Sequence, residues 1–110
     1  MTGISTHVLD TARGRPVAAL TVQLARREGG RWHTLAEAVT DDDGRIATWP
    51  TAPNDVATPG DYRLTFATGE HLPEGFYPEV SVVFTVRASG EHHHVPLLLS
   101  PFGYTTYRGS

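Results

Sequence analysis

His92-His93-His94-Val95-Pro96-Leu97-Leu98-Leu99-Ser100-Pro101-Phe102-Gly103-Tyr104-Thr105-Thr106-Tyr107-Arg108-Gly109-Ser110 closes this 110-residue chain, and the rest of the sequence can be placed around it. The stretch reads as a hairpin. A first run carries three histidines and four apolar residues, Ser-Pro-Phe-Gly makes a turn, and a second run ends with the chain. Side chains alternate faces along a strand. Val95, Leu97 and Leu99 therefore share a core face, while His92, His94, Pro96 and Leu98 share the other. Two imidazoles two residues apart on a face turned from the core need a reason.

Working outward, the length sets one domain, residues 1–110, large enough to bury a core. With 39% hydrophobic and 19% charged residues the chain is of folded composition. A net charge of −3 and the absence of Lys argue against nucleic acid or an acidic membrane as partner. There is no cysteine, which excludes a disulfide framework and thiolate chemistry and suits a reducing compartment, so the expected location is cytoplasmic. No apolar run approaches the ~20 residues of a membrane span. Met1-Thr2-Gly3-Ile4 does not read as a signal peptide.

Upstream of the hairpin the same alternation recurs. Ile4–Leu9 reads as a strand with Ile4, Thr6 and Val8 on one side and Ser5, His7 and Leu9 on the other. Asp10–Pro16 reads as a loop. Val17–Arg26 reads as a second strand, with Leu20, Val22 and Leu24 inward. Glu28-Gly29-Gly30-Arg31 turns the chain into a strand over Trp32–Val39. Asp41-Asp42-Asp43-Gly44 turns it again into a short strand over Arg45–Trp49. Pro50–Gly60 is a loop by its prolines. Asp61–Ala67 places Tyr62, Leu64 and Phe66 on one face. Thr68–Gly75 carries the one weak helical signal, and Glu79–Arg87 aligns Val80, Val82, Phe84 and Val86. The pattern predicts an all-β fold: an antiparallel β-sandwich of about eight strands with one short helix.

Chemistry is sparser. His92 and His94, at i and i+2, can point to one place, as acid/base or metal-binding pairs on strands do. His93 points the other way and reads as structural or exposed. Taken singly, His7 is an ordinary strand histidine. Arg45 is a surface partner for Asp41–Asp43, a pairing worth little. Tyr107-Arg108-Gly109-Ser110 is a frayed end, and His33 and His71 are surface positions. No Gly-x-Ser-x-Gly, His-Glu-x-x-His or phosphate-binding glycine loop is present. The three aspartates lack the spaced acceptors and closing Glu of a calcium loop.

Taken together, four stretches resemble the transthyretin-like family and, within it, the 5-hydroxyisourate hydrolases. They are Thr6-His7-Val8-Leu9-Asp10 with Gly14-Arg15-Pro16; Thr40-Asp41-Asp42-Asp43-Gly44-Arg45-Ile46; Phe76-Tyr77-Pro78-Glu79-Val80; and His94-Val95-Pro96-Leu97-Leu98-Leu99-Ser100-Pro101 through Tyr107-Arg108-Gly109-Ser110. The closing tetrapeptide is the specific mark, characteristic of the hydrolases and absent from the hormone carriers. The resemblance implies a homotetramer, a dimer of dimers that meet across the outer faces of the first and the last two strands and leave a central channel. It implies a small-molecule substrate, 5-hydroxyisourate, opened to 2-oxo-4-hydroxy-4-carboxy-5-ureidoimidazoline in urate degradation. His7, Arg45, His94 and Ser110 would be catalytic, with His7, Arg45 and Tyr107 touching substrate and His92 and Arg108 behind them.

No cofactor is expected. A zinc held by His7, His92 and His94 is conceivable and reads as adventitious or inhibitory. Which histidine is the general base stays open. The competing expectation is a carrier of apolar or hormone-like ligands in the same channel, whose walls should be mainly apolar.

Overall fold

The computed structural model describes residues 3–50, 58–88 and 90–110. Among them two sheets pack face to face. The first contains β1 (Gly3–Asp10), β2 (Arg15–Pro16), β5 (Arg45–Ile46), β8 (His92–Ser100) and β9 (Gly103–Thr106). Its order is β2-β1-β8-β9, with β5 also on β1. The second contains β3 (Thr21–Glu28), β4 (Arg31–Val39), β6 (Gly60–Phe66) and β7 (Val80–Val86), ordered β4-β3-β6-β7. The all-β sandwich is the architecture that the alternating pattern predicts. No helix among the described residues is long and apolar enough to cross a membrane.

The core lies between the sheets. Ile4, Val8, Val95, Leu97 and Leu99 enter from one, and Val22, Leu24, Tyr62, Leu64, Phe66, Val80, Val82 and Val86 from the other. Each such side chain contributes about 1.5–3 kcal/mol by leaving water. Thr6 sits in the same buried row, and its hydroxyl donates to the Val95 carbonyl at 2.6 Å. The Trp49 indole N–H donates to the Ile4 carbonyl at 2.8 Å, so the ring caps the core with its polar atom satisfied.

Several expectations are corrected. β1 pairs with β8 in parallel, Gly3 opposite His92 through to Asp10 opposite Leu99, so the sandwich is not wholly antiparallel. The strand expected from Val17 begins only at Thr21. Ala19 has φ of 59°, a left-handed conformation that breaks an extended run where the chain crosses between sheets. The loop expected over Asp10–Pro16 contains β2, paired with Leu9 and Asp10. The strand expected over Arg45–Trp49 stops at Ile46, where pairing with β1 ends. The weak helical signal, by contrast, is borne out, as a single 3₁₀ turn over Thr68–Glu70. Most of the loop expected over Pro50–Gly60, residues 51–57, lies outside the described residues.

Of two histidines, one reading is narrowed and the other corrected. His93 is structural, only 5% exposed among the core residues of β8. His71 is not a surface position: its Nε2 lies 2.8 Å from Oδ2 of Asp10, a carboxylate 1% exposed.

Candidate active site

The parallel register builds the site. It sets Ser5 of β1 opposite His94 of β8, with His7 two residues further along. On the other side of β1, Arg45 of β5 lies opposite His7. Alternation turns Ser5, His7, His92 and His94 outward, away from the core face of Ile4, Thr6 and Val8.

Arg45 is placed by the turn before it. The Asp41 Oδ1 accepts from the backbone N–H groups of Asp43 and Arg45, each at 2.9 Å. Asp41 thus shapes the turn instead of pairing with the guanidinium, and no ion pair joins Arg45 to Asp41–Asp43 among the described residues. Gly44 has φ of 76°, and a Cβ there would meet the Val8 carbonyl oxygen at 2.5 Å. Only glycine lets β5 approach β1 so closely.

Ser5 joins the two outward imidazoles. Its Oγ lies 2.7 Å from His92 Nε2 and 2.8 Å from His94 Nδ1. The chain end then returns over His94, where the Gly109 N–H donates to the His94 carbonyl at 2.8 Å. A Cβ on Gly109 would lie 2.6 Å from His94 Cδ2, so the tail packs on the ring only as glycine. A cleft of about 270 Å³ results, lined by Ser5, Thr6, Arg45, Ile46, Ala47, His92, His94 and Ser110.

Burial pushes the His94 imidazole below its ordinary value of 6.5, and the charges of Arg45, His7 and His92 push the same way. His94 is therefore neutral at pH 7 and can accept a proton.

Of the residues singled out in the sequence, Arg45, His92, His94 and Ser110 line this cleft, and His7 is near enough for its charge to act on His94. Tyr107 and Arg108 do not line it. They face a second cleft of about 300 Å³ between β7 and the start of β8, with Val82–Thr85 opposite and His94 lining both clefts. Tyr107 is 56% exposed, and Arg108 Nη2 donates to Glu91 Oε1 at 3.3 Å. Sequence reasoning did not single out Ser5. The signal was available, since Ser5 shares the outward face of its strand with His7. No three His, Cys, Asp or Glu side chains among the described residues are grouped to hold a metal ion, so His7, His92 and His94 do not form a three-ligand site within one chain.

A sandwich with a parallel pair joining its first and penultimate strands, and a cluster of imidazoles and one guanidinium on its outer face, defines a transthyretin-like protein. The model of the HIUase/Transthyretin family matches residues 4–109, and the chain belongs to that family. A 5-hydroxyisourate hydrolase of Caulobacter vibrioides is 47% identical over 118 aligned positions that cover all of both chains. The structure of Klebsiella pneumoniae 5-hydroxyisourate hydrolase superposes with a TM-score of 0.80 at 40% identity, covering 97% of this chain and 98% of that one. Sea bream transthyretin in complex with thyroxine superposes with a TM-score of 0.87 at 29% identity, covering 96% and 93%. Backbone shape alone does not separate the two kinds of relative; the residues on the outer face must do so.

Proposed function

We propose that this chain is a hydrolase of 5-hydroxyisourate. The observation that carries the reading is His94, held neutral beside Arg45 in a cleft that Ser110 also lines. Opening a ring at an amide-type C–N bond needs a water deprotonated and an oxyanion stabilised. His94 takes the proton. Arg45 grips the planar, acidic substrate and its carbonyl oxygens through its guanidinium fork. His7, opposite Arg45, orients the water, and the Ser110 end closes the cleft. Relatives at 40–47% identity bearing the name 5-hydroxyisourate hydrolase support the reading. A carrier of apolar ligands is disfavoured, because burying His94 and Arg45 under such a ligand carries a desolvation cost that it would not offset.

The reaction needs no cofactor in this reading. Tyr107 and Arg108 act from an assembled form: four copies associate as a dimer of dimers, with the outer faces of β1 and β8 turned to a shared channel. The test is direct. Purified chain mixed with freshly generated 5-hydroxyisourate accelerates the loss of its ultraviolet absorbance, and His94→Ala lowers kcat by about 10²–10⁴-fold. Unchanged rates in His7→Ala and Arg45→Ala would remove the site assignment, and a carrier would show no turnover at all.

A further inference from the structure

Ser5 lies between two ring nitrogens, 2.7 Å from His92 Nε2 and 2.8 Å from His94 Nδ1. A hydroxyl has one proton to donate. It can therefore donate to one imidazole while accepting from the other, which gives the trio a direction. Arg45 decides which. It lines the same cleft as His94 and offers only donors, so it favours a lone pair on the cleft side of the ring.

We propose that Ser5 is a positioning residue that fixes one chain of hydrogen bonds: His94 Nδ1–H donates to Ser5 Oγ, and the Ser5 hydroxyl donates to His92 Nε2. His94 Nε2 then carries the lone pair that the attacking water needs. The chain also gives the abstracted proton a way out. As the water's proton bonds to His94 Nε2, the Nδ1 proton passes to Ser5 Oγ and the Ser5 proton to His92 Nε2. One proton enters and one leaves Ser5, hydroxide goes to the substrate carbon, and the positive charge moves from half-buried His94 to exposed His92. The relay takes the cation off His94, where burial and the neighbouring Arg45 and His7 disfavour it.

The inference rests on the hydrolase reading, and two readouts separate them. Nitrogen-15 NMR of histidine-labelled protein near neutral pH reports the tautomers without substrate. Expected are a protonated Nδ1 and bare Nε2 on His94, replaced in Ser5→Ala by the other tautomer or a mixture. In turnover, Ser5→Ala lowers kcat about ten- to a hundredfold, the weight of one hydrogen bond to a charged group, and leaves KM within about twofold. Ser5→Thr, which keeps the hydroxyl, restores both readouts. Adding His92→Phe to Ser5→Ala costs little more, since the chain is already cut. A wild type with Nε2–H on His94, an Ser5→Ala variant with unaltered tautomer or kcat, or an Ser5→Thr variant as slow as Ser5→Ala overturns the proposal. A wild type without turnover defeats the hydrolase reading, and the NMR result still judges the chain.

Discussion

The role proposed for His94 sets two opposing demands: to face a reactant it must be reachable, and to act as a base it must stay neutral. The fold answers with partial burial and with the positive charge of Arg45, to which His7 and His92 add when protonated. A proton NMR titration of His94 is expected to give a midpoint below 6.5, and Arg45→Gln, which removes one of the charges, to raise it. The acid limb of kcat/KM should follow the same shift. The lowered value has a stability consequence. Between the folded and unfolded values the unfolded chain binds more protons, so this residue's contribution is complete above 6.5 and is lost as the pH falls through the folded value. A wild-type midpoint at or above 6.5 would mean that the surroundings do not hold His94 neutral. Glycine matters at the same scale. Gly44 and Gly109 bring backbone against Val8 and His94 at distances that no side chain allows.

Among the elements, face alternation was fully legible. Val95, Leu97 and Leu99, Leu20, Val22 and Leu24, and Tyr62, Leu64 and Phe66 all lie where a period of two puts them. Partner choice was not legible. Nothing local in Ile4–Leu9 states that it pairs in parallel with His92–Ser100, because that pairing is settled by the whole sandwich. The contact of His71, just past the 3₁₀ turn, was missed for a similar reason. His71 and Asp10 are 61 positions apart, and only the folded chain brings them to 2.8 Å. Burial pushes the Asp10 carboxyl up, but the His71 hydrogen bond, the backbone N–H groups of Arg13 and Ala12 and the His71 charge outweigh it, leaving it below 3.8. Removing His71 takes the 2.8 Å partner from Oδ2 of a buried carboxylate and leaves it the Arg13 backbone N–H and the Arg13 guanidinium at 3.8 Å. His71→Ala is expected to lower stability by about 1–3 kcal/mol in urea denaturation at pH 7. The loss should shrink as the pH falls below 3.8 through the lower folded value, since protonated Asp10 no longer needs the partner. An equal loss at both ends of that range would mean that His71 acts by packing alone.

For the whole molecule, the lining of the cleft was readable in part. Arg45, His92, His94 and Ser110, singled out in the sequence, line it together, whereas Ser5 was passed over for its plain chemistry and Tyr107 lies over another cleft. Assembly is the corresponding test. Leu98 is on the outer face of β8, half-exposed beside buried Leu97. Leu98→Arg should leave the far-ultraviolet circular dichroism unchanged, while light scattering falls from about four times the 12.0 kDa chain mass and turnover falls with it. An unaltered mass would place the contact between copies elsewhere. The pairing of β1 with β8 has one more effect, on how the protein is made. Every residue pair in that ladder is 89 positions apart. At the usual pace of synthesis, that separation takes on the order of 5–20 s to make. For most of that time the nascent β1 leaves the ribosome without its neighbour. Contacts so remote in sequence form late and slowly. Ser5 and His7 must wait for His92 and His94, so the cleft cannot form until a strand 89 positions downstream has been made.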